Sequence, residues 1–279
     1  MNNFNLLFDS GSLEVADLNN AFWLTSGYLT PMYINTHYIC GGSQKSKEIL
    51  ALIDSEYKQD KDFLVKLKQI FTDVYITDNI YKTAIDKLVQ HLKPIIKDLD
   101  ISMIAGGARR DWFFSVLAAE QLNIPHVYID KELNITDISD NQVLYLSNQR
   151  ILNIADLLML GTSCVNYWKP AIEKLNGNLV GSISIVNRMQ GGSENLERNN
   201  IKSISSLIEI TPDFFKSAKD SSIITASQLD IILNYLEKPV KTMKAWLETN
   251  PKFLENAKMD SSERVQKRVK LLINNKLYD

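Results

Sequence analysis

Four short stretches of this chain set charged and hydroxyl or aromatic side chains beside glycines, a combination that suits a phosphorylated ligand. The first runs Arg150-Ile151-Leu152-Asn153-Ile154-Ala155-Asp156 and continues through Leu157-Leu158-Met159-Leu160 into Gly161-Thr162-Ser163. An apolar run that ends on one acid, then a glycine and two hydroxyl residues before a helical pattern, reads as strand, loop and helix. In an open α/β sheet, ligands bind at the carboxyl ends of strands, and a helix start offers N–H groups to a phosphate. Asp156 would accept hydrogen bonds from the vicinal hydroxyls of a ribose, and Gly161, Thr162 and Ser163 would hold its 5-phosphate. The same residues equally suit a strand end and a plain helix cap.

The second stretch is Ala105-Gly106-Gly107-Ala108-Arg109-Arg110-Asp111-Trp112. Two glycines after a strand let the backbone turn sharply and approach a ligand, and the guanidinium forks that follow match phosphate oxygens. A simple turn with solvated arginines is the alternative. The third stretch, Asn187-Arg188-Met189-Gln190-Gly191-Gly192, again follows a strand and places Arg188 where it could pair with an anionic substrate. The fourth, residues 22–35, carries Phe22, Trp23, Tyr28 and Tyr33 around Ser26-Gly27 and Thr30-Pro31; aromatics on a hairpin stack on planar bases or serve as core.

These stretches need a scaffold, and its pattern is visible. Residues up to about Asn35 read as a short hairpin. From Ser43 to about Leu99 the spacing is helical: Ile49, Leu50 and Ile53 share a face, as do Leu64, Leu67 and Phe71, and then Ile85, Leu88, Val89 and Leu92. Residues 101–210 alternate. Strands are expected at 101–105, 126–129, 142–146, 151–155, 182–186 and 206–210, with helices at 111–122 and 163–175 between them, so the fold class is α/β with a mainly parallel sheet. From about Ser227 the chain is helical again, punctuated by Pro239 and Pro251.

Composition narrows the function. At 279 residues the chain fits one large domain or a domain with an appendage, and 45% hydrophobic with 23% charged residues is ordinary for a soluble globular protein. A net charge of -2 supplies no broad grip on nucleic acid or anionic membrane, so neither is an expected partner. No apolar stretch approaches the roughly 20 residues that span a bilayer, and Met1-Asn2-Asn3-Phe4-Asn5 lacks the flanks of a signal peptide. Cys40 and Cys164 form no metal or redox motif, so a reduced, cytoplasmic setting is expected. His37, His91 and His126 are far apart and read as polar contacts, not metal ligands.

Taken in order, the four stretches resemble the orotate phosphoribosyltransferases, within the type I phosphoribosyltransferase class. The hairpin is similar to that family's Phe-x-Leu-x-Ser-Gly-x-x-Ser-Pro-x-Tyr element, the segment from Ala155 to Ser163 to its phosphoribosyl-diphosphate motif, and residues 187–192 to its Asp-Arg-x-x-Gly-Gly segment. The stretch from Gly106 to Trp112 resembles the diphosphate-loop region of a longer branch. The resemblance implies a type I phosphoribosyltransferase fold: a central parallel sheet of about five strands flanked by helices. Residues 1–100 would form a hood hairpin and helices, 101–215 the core, and 216–279 a helical carboxyl-terminal extension. It implies transfer of phosphoribosyl from phosphoribosyl diphosphate to orotate with Mg2+, by a chain that is usually a homodimer. Asp156 and Lys131 would be catalytic. Gly161, Thr162 and Ser163 would hold the 5-phosphate, Gly107, Ala108 and Arg109 the diphosphate, Arg188 the orotate carboxylate, with Tyr33 also in contact with substrate.

The chain departs from that pattern at defined positions. Ala155 stands where the motif has a first acid, and Thr25 where a lysine precedes Ser-Gly. In residues 128–137, which match a mobile basic loop, only Lys131 is cationic and Asp130 replaces an arginine. Fewer cations would cost transition-state stabilisation. Three readings therefore stay open: a divergent orotate enzyme, a non-catalytic binder of phosphoribosyl ligands, and a phosphoribosyltransferase for another base.

Overall fold

The computed structural model describes residues 3–278; Met1 and Asn2, part of the leader-free start expected above, and Asp279 lie outside the described residues. After helix α1 (Asn3–Asp9) come four short strands, β1 (Leu13–Val15), β2 (Phe22–Trp23), β3 (Leu29–Thr30) and β4 (Met32–Ile34). Three amphipathic helices follow, α2 (Gly42–Glu56), α3 (Phe63–Thr77) and α4 (Asn79–Asp98). Their buried residues are those the spacing picks out: Ile49 and Ile53; Leu64, Leu67 and Phe71; Ile85, Leu88, Val89 and Leu92. Asp78 starts α4 by accepting the N–H groups of Ile80 and Tyr81 at 2.7 and 2.8 Å.

The α/β segment then runs β5 (Met103–Gly106), α5 (Trp112–Leu122), β6 (His126–Ile129), β7 (Ile135–Thr136), β8 (Arg150–Leu158), α6 (Lys169–Lys174), β9 (Asn178–Asn187), α7 (Gly192–Arg198), β10 (Lys202–Ser203) and β11 (Ile208–Glu209). Five helices close the chain: α8 (Pro212–Asp220), α9 (Ala226–Glu237), α10 (Pro239–Thr249), α11 (Pro251–Met259) and α12 (Glu263–Asn274).

The central sheet is α/β and mostly parallel. It has seven strands among the described residues, in the order β10-β9-β8-β5-β6-β7, with β11 also on β9; only β7 runs antiparallel to its neighbour. That exceeds the roughly five strands expected. The added strands are two-residue edge pieces too short to show a period. Residues 142–146, expected as a strand, form only a bridge from Gln142 to Thr136; Leu146 is buried, but Leu144 and Tyr145 are exposed, so neither face of the run is continuously buried. Strand β8 extends to Leu158, so Asp156 lies within it, not at its end. The expected helix 163–175 starts as a π-helical turn, Cys164–Trp168, before α6. Helix α5 is buried from Trp112 to Ala119 because it packs under the sheet, which explains why its sequence shows no polar face.

The chain packs as two compact units. One holds the residues up to Ser12 together with Asn35–Ile210, and the other Leu13–Ile34 with the residues from Thr211 onward. This grouping differs from three consecutive regions at 1–100, 101–215 and 216–279. The difference has specific causes within the second unit. Residues 13–34 form an interrupted hairpin, β1 against β4 and β2 against β3, turning at Gly27. Trp246 Nε1 donates to the Leu18 carbonyl at 2.8 Å, the Tyr278 hydroxyl accepts the Leu29 N–H at 2.7 Å, and Trp23 stacks on Phe253. Tyr33, on β4, lies in this unit with its ring tilted against Phe22 at 5.8 Å. Among the described residues no helix is long and apolar enough to cross a membrane.

Candidate active site

The sheet order contains a reversal. From β5 the chain passes through α5 to β6 on one side, then returns to place β8 on the other side of β5. Such a switch point leaves a crevice at the carboxyl ends of the two strands. Here that crevice is a cavity of about 430 Å³ lined by Ala108, Arg109, Lys131, Asp156 and Gly161–Ser163, among others. The second unit holds a larger hollow of about 800 Å³ beside Trp23 and Phe253. Its charged residues, Lys252 and Asp260, are both exposed, whereas the smaller cavity gathers facing acids and cations.

Each wall has a local cause. At the end of β5, Gly106 leaves no room for a side chain, because a Cβ there would lie 2.2 Å from Ser115 Oγ. The Gly106 carbonyl accepts Trp112 Nε1–H at 3.0 Å. The Ala108–Arg109 peptide bond is cis. Across the crevice, Gly161 adopts φ +70°, the left-handed region that glycine tolerates, and turns β8 toward its helix. Ser163 makes no side-chain cap on that helix. In the first helical turn the N–H groups of Thr162 and Ser163 have no intrahelical acceptor, and both residues are exposed.

Two carboxyl groups meet behind this loop. Asp111 accepts N–H groups from Gly107 at 3.1 Å and from Asp156 at 2.9 Å. Burial, then the Asp156 charge, pushes the Asp111 carboxyl well above the usual range. Burial raises Asp156 too, against the opposing pull of the Arg110 guanidinium. One proton shared between the two acids relieves the repulsion of two buried charges. Beneath them Asn153, wholly buried, donates to Ser182 Oγ at 3.1 Å while its Oδ1 has no partner.

The cations are also engaged. Arg109 and Lys131 both pair with Asp54 on α2, Lys131 at 3.3 Å. Residues 128–137 form a tight β6–β7 turn. Asp130 organises it by accepting from the backbones of Glu132 and Asn134 at 2.8 and 2.9 Å, and Lys58 pairs with Asp130 at 2.8 Å. Burial alone would raise the Asp130 carboxyl, but the Lys58 and Asn134 hydrogen bonds outweigh it and hold it below the usual range.

The structure thus brings together Asp156, Lys131, Gly161, Thr162, Ser163, Ala108 and Arg109 around one cavity. Gly107 is not in the lining; the space of its missing Cβ is taken by the Trp168 ring. Arg188 stands behind Met159, which lines the cavity: its Nη1 lies 3.7 Å from Met159 Sδ and its buried Nε has no partner. Tyr33 is in the other unit. Sequence reasoning passed over Asp54, Asp111 as a bridging acid, Asn153 and Trp168. An acid directly before a helix is a capping signal that points to Asp111; nothing in the spacing marks Asp54.

No protein-family model matches the chain. The orotate phosphoribosyltransferase of Lactobacillus johnsonii is 28% identical over 177 residues, 62% of this chain and 82% of that enzyme. The adenine phosphoribosyltransferase of Campylobacter hominis is 30% identical over 151 residues, 48% of this chain and 78% of that enzyme. Leishmania donovani UMP synthase shares the fold, with a TM-score of 0.58 and 15% identity over 85% of this chain; the chain spans 42% of that longer protein. The similarity to both kinds of enzyme makes this chain a member of the phosphoribosyltransferase family.

Proposed function

We propose that the chain transfers a 5-phosphoribosyl group from phosphoribosyl diphosphate to orotate, giving orotidine 5′-monophosphate and diphosphate. The observation that carries this reading is the cavity in which Asp156 faces the Gly161–Ser163 turn on one side and Arg109 and Lys131 on the other. The ring nitrogen of the base attacks C1 of the ribose as the bond from C1 to the diphosphate oxygen breaks. Positive charge grows on the ribosyl centre and negative charge on the leaving group. Gly161, Thr162 and Ser163 hold the 5-phosphate, Asp156 accepts from the ribose hydroxyls, and Ala108 with Gly107 carries Arg109 along the diphosphate. Lys131 neutralises charge on the leaving group. Arg188 offers an unpaired Nε–H suited to the orotate carboxylate. Tyr33 is the residue of this set that awaits a role in the bound state.

Among the described residues no cluster of three or more acids, histidines or cysteines could hold a metal. Two carboxyl groups line this cavity, Asp111 and Asp156, and Asp156 would offer a hard oxygen to Mg2+, which binds through one or two carboxylates with substrate and water completing its shell. When bound, Mg2+ neutralises the diphosphate and eases its departure. The two cysteines, Cys40 and Cys164, are free and buried, which suits a cytoplasmic protein, and a homodimer is the assembly we propose.

Adenine is the second acceptor to consider, because the relatives of comparable similarity include adenine enzymes. Incubation with phosphoribosyl diphosphate, Mg2+ and either orotate or adenine separates the readings by nucleotide product. Orotidine 5′-monophosphate is expected. Adenosine monophosphate alone would replace the acceptor, and no product from either base, with phosphoribosyl diphosphate bound, would leave a binding protein.

A further inference from the structure

Two of the three cations that line the cavity, Arg109 and Lys131, are not free. Arg109 follows β5 and Lys131 follows β6, and both reach the same carboxylate, Asp54, in the last turn of α2. Asp54 does not line the cavity itself but an adjoining hollow of about 160 Å³ that shares Ala108, Arg109 and Lys131 with it. Its side chain is 44% exposed, so it rehydrates at little cost when it lets go. Lys58, which lines the same hollow, is held by Asp130 and Glu132 at 2.8 Å each, which leaves Asp54 to Arg109 and Lys131.

We infer that Asp54 is a resident counter-anion: it holds Arg109 and Lys131 in the free protein and is exchanged for the diphosphate of the ligand. The inference rests on the phosphoribosyltransferase reading of this cavity. It follows from charge. Arg109, Lys131 and Asp54 together carry a single net positive charge, while Arg110, the third lining cation, acts on Asp156. A ligand that brings one negative charge to this spot gains nothing over Asp54, whereas a diphosphate brings several and displaces it. Asp54 thereby selects for ligands with more than one charge at this end of the cavity. It leaves the 5-phosphate loop at Gly161–Ser163 untouched.

Calorimetric titration of the full chain with inorganic pyrophosphate and with ribose 5-phosphate tests this. Asp54→Asn and Asp54→Ala should bind pyrophosphate about five- to tenfold more tightly than wild type, the worth of two exposed pairs. Ribose 5-phosphate affinity should stay within about twofold, and so should both affinities in Glu48→Gln, which makes the same charge change elsewhere on α2. Unchanged or weaker pyrophosphate binding in the Asp54 variants, with ribose 5-phosphate binding intact, overturns the inference and leaves the functional reading standing. An equal gain for both ligands, or in Glu48→Gln as well, reduces Asp54 to a general field effect and also overturns it. If no form binds either ligand, the functional reading fails with it.

Discussion

The Asp111 carboxyl accepts the Asp156 backbone N–H at 2.9 Å, and the buried charges of the two acids act on each other. Because Asp111 also accepts the Gly107 N–H at 3.1 Å, one side chain at the start of α5 ties together the two strand ends that form the cavity. In Asp111→Asn one carboxamide oxygen cannot serve both N–H groups as well, and the buried donor left over costs about 1–3 kcal/mol. The pH dependence is specific. Asp111 is raised above its ordinary 3.8, so the folded protein holds more protons than the unfolded chain from that pH upward, and wild-type stability falls as pH rises through this range. The variant lacks that fall. Urea denaturation at about pH 5 and about pH 8 should therefore show its deficit narrowing at the higher pH.

The Gly161–Ser163 turn makes a separate prediction. Thr162 and Ser163 are exposed, and Ser163 makes no cap bond. Their hydroxyls should thus matter to a ligand and little to stability. Thr162→Val with Ser163→Ala should weaken ribose 5-phosphate by about 2 kcal/mol while moving Tm by no more than a degree or two. Asp156→Asn should weaken it by at least about tenfold. Calorimetry and thermal melts on the same samples check both, and a Tm collapse with affinity retained would make the loop structural.

How much of this was legible in the sequence depends on range. Helices α2 to α4 show in the chain because their buried residues repeat every three or four positions. Gly161 beside two hydroxyl residues marks a local turn for the same reason. Strand β8 reads too short because Leu157 follows an acid, and a partly buried acid held by Asp111 from another element breaks the apolar run without ending the strand. Asp54 was invisible: its role exists only because α2 folds against the loops after β5 and β6. The union of residues 13–34 with the carboxyl-terminal helices rests on bonds such as Trp246 to Leu18, which span most of the chain.

A second pH effect comes from His37. It is 2% exposed, and burial first, then Arg110, Arg109 and Lys47, lower its pKa from 6.5 to about 3. Here the folded state binds fewer protons than the unfolded chain between those values, so stability is complete above 6.5 and is lost as pH falls toward 3. The loss is about 1.4 kcal/mol per pH unit for each such group. His126 is lowered by burial to about 3 as well and adds an equal slope. His37→Gln should therefore lower the slope of stability against pH, measured by urea denaturation between about pH 6 and pH 4.5, by up to about 1.4 kcal/mol per pH unit relative to wild type. An unchanged slope would mean His37 is protonated in the folded protein.

Gly107 supplies a test of the cavity wall itself. A Cβ on this residue would lie 2.4 Å from Cε2 and Nε1 of the Trp168 indole, closer than atoms can approach, and the half-buried ring lines the cavity. In Gly107→Ala the ring must move. Overpacking of this kind costs about 1–3 kcal/mol, and a ring pushed outward should red-shift its fluorescence. The substitution acts through one contact, so it should be non-additive with removal of that contact. In Trp168→Ala the added methyl has room, and Gly107→Ala should then cost well under about 1 kcal/mol. A full double-mutant cycle by chemical denaturation reads this coupling, and equal costs in the two backgrounds would place the requirement for glycine in the backbone of the 106–109 turn instead of in the indole.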